Sequence, residues 1–125
     1  MKINFINNNR YNYMPNYIIK TINIPAINDT ITYYIGKNAI GNFEIIDMAN
    51  DTDMWFHVAD KPSCHVIACL PNKIKRNDMR YIIKIGAMLC KHKDNDIIIY
   101  TFINNIKKTD IIGMVNVSNE KIYKG

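Results

Sequence analysis

The sequence predicts an α+β fold, in which one main amphipathic, basic helix packs on a mostly antiparallel or mixed sheet. Two patterns support this prediction. Short segments of alternating or continuous apolar residues recur between Pro, Gly, Asn and Asp residues, as in β-strands joined by turns. One longer segment, ending near Cys90, instead repeats its apolar residues at helical spacing.

Two strands are predicted near the start of the domain. Residues 17–24 alternate β-branched and polar side chains, and residues 30–35 return after a turn at Asn28-Asp29. The second strand ends at Gly36, where the missing Cβ permits a sharp bend or the close approach of a phosphate or another backbone. An ordinary turn glycine is the alternative. A short helix is expected over residues 43–48.

The segment over residues 53–66, Asp-Met-Trp-Phe-His-Val-Ala-Asp-Lys-Pro-Ser-Cys-His-Val, predicts a β-hairpin. Its Asp-Lys-Pro-Ser sequence suits a tight connection, with Lys61 at the tip. Successive strand residues point to opposite faces of a sheet. In a suitable antiparallel register, Trp55, His57 and His65 would therefore share one face.

The main helix is expected to begin at a cap formed by Asn77 or Asp78 and to run to about Cys90. Its apolar residues form a stripe that should be buried. The members of that stripe are Met79, Ile82, Ile83, Gly86, Leu89 and Cys90. The opposite, solvent-facing stripe consists of Arg76, Arg80, Lys84, Ala87 and Lys91.

The remaining sequence predicts the closing part of the sheet. The continuous apolar run over residues 97–103 is typical of a central strand buried on both sides. A loop bearing Lys107 and Lys108 should follow, and residues 111–117 and 120–123 should pair as a closing hairpin. We expect residues 1–15 to be a flexible tail and residues 16–125 to be a single domain.

Charge is distributed unevenly along the chain. Residues 73–93 have a net charge of +6, whereas the rest of the chain sums to −1. Residues 39–60 contain five acidic residues and neither Lys nor Arg. A one-sided basic surface is expected of a nucleic-acid binder, because each neutralised phosphate releases condensed counterions. The alternative is an ordinary solvated helix face.

Aromatic side chains could add to phosphate contacts by stacking on unpaired bases. The candidates are Tyr33, Tyr34, Trp55, Tyr81 and Phe102. A core position is favoured for Phe56, and the sequence leaves Trp55 undecided between core and surface.

Catalytic and metal sites are not expected. His57, His65 and Asp53 could be imagined as ligands, but a zinc site needs a clearer third partner, so buried histidines bonded to backbone or to an Asp are preferred. Cys64 is adjacent to His65, yet neighbouring strand residues face apart, so this imidazole should not activate the thiol. We expect no enzyme activity, no cofactor and no metal.

The three cysteines and the absence of a long apolar run bear on the compartment. An odd number of cysteines without Cys-x-x-Cys spacing predicts reduced, mostly buried thiols. No apolar run approaches the roughly 20 residues of a membrane span. We expect a soluble, cytoplasmic and monomeric protein that does not bind membranes.

Several of these blocks, in this order, resemble the NFACT-R domain, the RNA-binding module of ribosome quality-control factors. The matching blocks are Tyr34-Ile35-Gly36-Lys37-Asn38, Asn42, Asp53-Met54-Trp55-Phe56-His57 and Pro62-Ser63-Cys64-His65-Val66, then the basic helix, Lys107-Lys108 and Gly113-x-Val115. The resemblance covers roughly residues 32–124. Ser63-Cys64 departs from the Gly-Ser usual in bacterial and archaeal members.

The resemblance implies a module that contacts structured RNA, either tRNA or ribosomal RNA, in ribosome-associated quality control. The phosphate-binding set expected from charge and resemblance is Lys37, Asn38, Arg76, Arg80, Lys84, Lys91, Lys107 and Lys108. The motif residues expected to shape the adjoining surface are Gly36, Asp53, Trp55, His57, Lys61 and His65. DNA binding, or docking of a ribosomal or other basic protein by the acidic residues 39–60, are the alternatives.

Overall fold

The computed structural model of the protein describes residues 15–125, so nearly all of the expected N-terminal tail lies outside the described residues. Within these residues, eight strands and two α-helices follow one another in chain order. They are β1 (Tyr17–Ile24), β2 (Asp29–Gly36), α1 (Ala39–Met48), β3 (Met54–Val58), β4 (Val66–Ala68), α2 (Arg76–Cys90), β5 (Ile98–Phe102), β6 (Ile106–Lys108), β7 (Val115–Val117) and β8 (Lys121–Ile122).

Six strands form one sheet in the order β1-β2-β4-β3-β5-β8, and β6 pairs with β7 in a separate two-stranded sheet. All the strand pairs are antiparallel. The predicted α+β class is confirmed. Within residues 15–125, no helix has both the length and the apolar character needed to cross a membrane.

The central hairpin is confirmed, although its connection is longer than a tight turn. Strands β3 and β4 pair with Trp55 opposite Ile67 and Phe56 opposite Val66. Asp60 has a positive φ of 61° within the connection, a conformation that Asp tolerates better than most residues. Because side chains alternate along each strand, this register also determines which residues face each side of the sheet.

The sheet separates two apolar clusters. On one face, α2 packs over Tyr33, Phe56 and Val66. At Gly86 an added Cβ would lie 2.3 Å from the Phe56 ring, so glycine permits this close approach. On the other face, Ile45 of α1 packs with Trp55 and with residues of the two-stranded sheet. The helices α1 and α2 therefore lie on opposite faces of the sheet.

The predicted closing hairpin is wrong. Val115–Val117 pairs with Ile106–Lys108, which was expected to be a loop, and Lys121–Ile122 pairs with β5. Ile111 and Ile112 lie in a turn and are 59% and 60% exposed, rather than forming part of a strand. The sequence did not predict this turn, because consecutive isoleucines are also typical of a strand.

Three details of the other predicted elements need correction. The N-cap of α2 is Lys75, without a side-chain cap hydrogen bond, and Asn77 and Asp78 lie within the first turn. Ala87, expected on the exposed stripe, is 2% exposed because α2 packs more broadly on the sheet. Phe102 is 42% exposed, so the run over residues 97–103 is not buried throughout. The outer edge of β5 pairs only with the two-residue strand β8.

Candidate nucleic-acid interface

Three aromatic rings of the central hairpin lie together, as the alternation predicted. The ring centroid of Trp55 is 5.5 Å from that of His57 and 5.3 Å from that of His65, and the two imidazoles are 4.9 Å apart. They lie beside a cleft of about 1010 Å³. We call it the hairpin cleft; its lining includes Lys37, Asn42, Trp55, His57, Lys61, Cys64, His65, His92 and residues 111–115.

Trp55 and His65 are nevertheless buried, with 1% and 2% of their surfaces exposed. The indole Nε1–H of Trp55 donates to Nδ1 of His65 at 3.1 Å, so this nitrogen is unprotonated and the ring is neutral. Burial, together with the nearby His57, lowers the pKa of His65 to about 3. Burial settles the open question of Trp55 in favour of the core and agrees with the preference for a buried His65, although both residues border the hairpin cleft.

His57 is the most exposed of the three rings. It stacks on Trp55 with an interplanar angle of 6°, and its Nδ1 contacts the carbonyl oxygen of Val58. Burial lowers the pKa of His57, which favours the neutral ring. Backbone bonding was predicted for a buried histidine and is observed at His57, whereas His65 uses Trp55 instead. Among residues 15–125, no cluster of three or more His, Cys, Asp or Glu side chains is arranged to hold a metal ion.

Two further motif residues have structural contacts inside the domain. Asp53 is buried; its Oδ1 accepts from the Leu70 amide at 3.0 Å and its Oδ2 from the Asn50 amide at 2.9 Å. A Cβ on Gly36 would lie 1.9 Å from Oδ1 of Asn42. That same oxygen accepts from the backbone N–H of His65 at 3.0 Å. The glycine is therefore explained by close packing of Asn42, without any phosphate.

Two of the candidate lysines, one lining the cleft and one on β6, lie beside acidic side chains. Lys61 pairs with Asp96, and Lys108 pairs with Asp47. The bond from Lys61, with those from the backbone of Lys93 and His92, lowers the pKa of Asp96. Both lysines therefore have part of their charge neutralised by a neighbouring carboxylate.

Asn38 and Lys37 adjoin the start of α1. The Asn38 side chain caps this helix by accepting from the Gly41 amide at 2.9 Å, and its Nδ2 donates to Asn16 at 3.0 Å. Asn38 thus has a capping role that accounts for its position without a ligand. Lys37 is exposed at the edge of the cleft, and no acidic side chain pairs with it within residues 15–125.

The exposed side of α2 is the second candidate surface. Arg76, Arg80, Lys84 and Lys91 are all exposed, and none pairs with an acidic side chain in the described part of the chain. We call these four residues the α2 basic face. Half-buried Tyr81 lies beside them; Arg80 donates to its hydroxyl at 3.0 Å and its guanidinium lies 4.8 Å from the ring centroid.

The eight residues expected to bind phosphates therefore fall on two faces. The α2 basic face lies on one side of the sheet. Lys37 borders the hairpin cleft and Lys107 and Lys108 belong to β6, on the side of α1. The sequence did not predict this division, because only the tertiary packing places the α2 basic face and β6 on opposite faces of the six-stranded sheet.

The aromatic residues expected to stack on bases lie in different surroundings. Tyr33 is fully buried and donates its hydroxyl to the carbonyl of Ile82 at 2.9 Å, so it does not stack on a base, and neither does Trp55. Phe56 is in the core, as predicted. Tyr34 packs edge-on against Tyr17. Tyr81 is the aromatic candidate adjoining the α2 basic face.

Sequence reasoning missed a cluster at the end of α2. The Sγ of Cys64 lies 3.9 Å from Nε2 of His92, and the Cys90 thiol donates to the Cys64 carbonyl at 3.6 Å. Cys90 is buried, but Cys64 and Cys69 are only half-buried, contrary to the expectation of mostly buried thiols. The partners are 26 and 28 positions apart in the sequence, so no local pattern indicates these contacts.

The fold and its surfaces define an α+β domain with an internally bonded aromatic hairpin and a basic helix. No model of a known protein family matches the chain. It is 29% identical over 105 residues to mouse (Mus musculus) coiled-coil domain-containing protein 25. The match covers 76% of this chain and 50% of that protein. The chain thus spans about half the length of this relative.

A solved structure has a similar fold. It is the C-terminal part of the fibronectin/fibrinogen-binding protein from Streptococcus suis, with a TM-score of 0.60 and 21% identity. The similarity covers 74% of this chain and 39% of that one. At this identity, the likeness shows a shared fold.

Proposed function

We propose that this chain is a non-enzymatic module of the NFACT-R type that binds structured RNA, tRNA or ribosomal RNA, through the α2 basic face. The observation that supports this most is the exposure of four cations along one helix without acidic partners among residues 15–125. A 15-residue helix extends for about 22 Å, long enough to follow several phosphates.

The position of the cations on α2 supports a role beyond solubility. Lys75 is the N-cap and Arg76 the first residue of the helix, where the positive end of the helix dipole disfavours cations. Placing a charge of the wrong sign there costs about 0.3–1 kcal/mol per residue. A helix selected only for stability would have a Ser, Thr, Asp or Asn cap instead. Binding to a polyanion offsets this cost.

RNA rather than DNA is proposed on the basis of the ordered motif blocks that resemble NFACT-R, since phosphate contacts alone do not distinguish the two. In this proposal the RNA belongs to the ribosome or to a tRNA engaged with it, in the cytoplasm. The α2 basic face supplies the phosphate contacts, with Tyr81 beside them as a surface for an unpaired base. The hairpin residues support the sheet on which α2 packs.

The alternative of docking a basic protein through residues 39–60 has less support. Asp53 is buried and bonded to two backbone amides, and Asp47 pairs with Lys108. Two of the five acidic residues in this range are therefore already engaged inside the domain. The streptococcal protein is named for binding fibronectin and fibrinogen; protein binding by this chain would be an outcome of the following test.

The test is fluorescence anisotropy with a labelled tRNA and a DNA duplex of matched charge, titrated across salt concentrations. The variant Arg80→Glu/Lys84→Glu reverses charge on the α2 basic face. Its matched control, Lys107→Glu/Lys108→Glu, makes the same change in charge on the other side of the sheet. We expect tighter binding to tRNA than to DNA, and a loss of roughly a hundredfold or more in the α2 variant at 0.1 M salt.

The control should lose much less affinity, and circular dichroism should show both variants folded. Equal binding of tRNA and DNA would change the proposed partner to nucleic acid in general. Absence of salt-dependent binding by the wild-type protein would overturn the proposed function.

A further inference from the structure

We propose that Cys64 is a peroxide-reactive thiol whose oxidation ends in a disulfide bond with Cys90. The two residues lie in different elements. Cys64 belongs to the connection between β3 and β4, and Cys90 is the last residue of α2. The Cys90 Sγ lies 3.6 Å from the Cys64 carbonyl oxygen, so the two residues are already in contact.

The surroundings of Cys64 favour its thiolate, which is the form that reacts with peroxides. The Cys90 side chain is the largest influence that lowers the pKa of Cys64; the His92 imidazole contributes in the same direction, and burial opposes both. The His92 Nε2 lies 3.9 Å from the Cys64 sulfur. Cys64 also lines the hairpin cleft, through which a molecule as small as hydrogen peroxide can reach it.

Cys90 is suited to the second step. Its bond to Cys64 and its burial raise its pKa, so it remains a thiol until it reacts. The carboxylate of Asp96, which contributes to this shift, is held by the amides of His92 and Lys93 at 2.9 Å. A disulfide needs Cβ atoms about 3.5–4.5 Å apart. The contact of the Cys90 Sγ with the Cys64 backbone carbonyl places the two residues side by side, and side-chain rotation would bring the two sulfurs together.

The remaining cysteine serves as an internal control. Cys69 follows β4, and its pKa is raised to about 11 by burial and by Asp53, with a partly opposing bond from Tyr34. Tyr34 packs with the cluster on the α1 side of the sheet, whereas Cys64 packs with the α2 cluster. The sheet therefore separates Cys69 from the reactive pair.

The chemistry needs one equivalent of hydrogen peroxide. The Cys64 thiolate attacks one peroxide oxygen, the O–O bond breaks, and the departing hydroxide takes up a proton to leave as water, which gives Cys64 sulfenic acid. The Cys90 sulfur then attacks the Cys64 sulfur as its thiol loses a proton, and the hydroxyl group leaves as water. Two thiols and one peroxide become one disulfide and two waters.

The experiment treats the full chain with stoichiometric hydrogen peroxide and then quenches it by alkylation under denaturing conditions. Intact mass should fall by the mass of two hydrogens before alkylation, and one cysteine of three should then be alkylated. Peptide mapping should find Cys64 joined to Cys90, and Cys69→Ser should form the same disulfide. Sulfenic acid or sulfinic acid accumulating at Cys64 in place of the disulfide would overturn the proposal, as would a disulfide involving Cys69.

A second measurement separates thiol activation from proximity. The rate of iodoacetamide alkylation at Cys64, measured against pH, should rise with a midpoint well below that of Cys69. His92 is exposed, so His92→Gln should remain folded and react roughly tenfold more slowly at neutral pH. An unchanged rate in His92→Gln, or equal reactivity of Cys64 and Cys69, would contradict the proposed activation.

Discussion

The aromatic hairpin and the α2 basic face differ in what satisfies their polar groups. In the hairpin, Trp55 and His65 bond to each other and Asp53 bonds to two backbone amides. On α2, the charged ends of Arg76 and Lys84 are exposed, and no acid pairs with them within residues 15–125. These polar groups of the hairpin therefore have partners inside the domain, whereas the cations of the helix have no acidic partner among the described residues.

Under the proposed function, the motif residues of the hairpin and the residues that contact RNA are different. A polar group buried without a partner costs about 1–3 kcal/mol, which is enough to require a particular partner residue at each buried position. Trp55 and His65 form such a pair. In the proposed RNA-binding role, the α2 basic face would need only positive charge and exposure, so it should tolerate exchange between Lys and Arg.

The largest effect should come from removing the central ring of the hairpin. Trp55→Ala should lower the free energy of unfolding by about 3–5 kcal/mol, because it leaves a cavity and removes the donor to His65. Urea denaturation followed by circular dichroism measures this change. Phe102→Ala, at an aromatic ring that is 42% exposed, is the control and should lose much less. Similar losses in both variants would contradict the buried position of Trp55.

A smaller effect is expected from pH. The pKa of His65 is about 3 in the folded protein, against an ordinary value of 6.5, so the unfolded state binds more protons between these values. Stability is then retained above the ordinary pKa and lost as the pH falls toward 3. Between pH 7 and pH 5 we expect a loss of about 2 kcal/mol in the free energy of unfolding.

Denaturation curves at several pH values test this, with His65→Gln as the comparison. The glutamine oxygen can still accept from the indole but does not titrate in this range. Its stability should fall less steeply with decreasing pH than that of the wild-type protein. Parallel curves would show that His65 does not have the lowered pKa.

The smallest contrast is between single lysines on the two faces. Lys84→Ala should weaken tRNA binding roughly fivefold to tenfold at 0.1 M salt, as expected for one lost phosphate contact. Lys108→Ala should change affinity little, since its ammonium pairs with Asp47, and such a surface pair contributes about 0–1 kcal/mol to stability. Anisotropy at several salt concentrations measures both. A larger loss for Lys108→Ala would move the interface to the α1 side.

Local pattern was sufficient to predict much of the fold. Residues 17–24 form β1 as expected, and the alternation of the hairpin placed Trp55, His57 and His65 together. Alternation succeeds there because both strands are flanked by strong turn residues. The exposed positions of the four α2 cations were also predicted from helical spacing.

The features that could not be predicted depend on contacts between distant segments. The pairing of β6 with β7 joins two three-residue strands, which are too short to show a period. Ala87 is buried because α2 packs on the sheet, and a small residue has no pattern of its own to reveal this. His92 contacts Cys64 from 28 positions further along the chain, so no local pattern indicated this imidazole.

The most direct test of the different roles of the two regions is an NMR titration of the isotopically labelled protein with a structured RNA hairpin. We predict that amide signals along the exposed side of α2, from Arg76 to Lys91, shift progressively as RNA is added. Signals of Trp55 and His65 should change little. Shifts centred on Lys37, His57 and Lys61, with α2 unaffected, would contradict this account by placing the interface in the hairpin cleft.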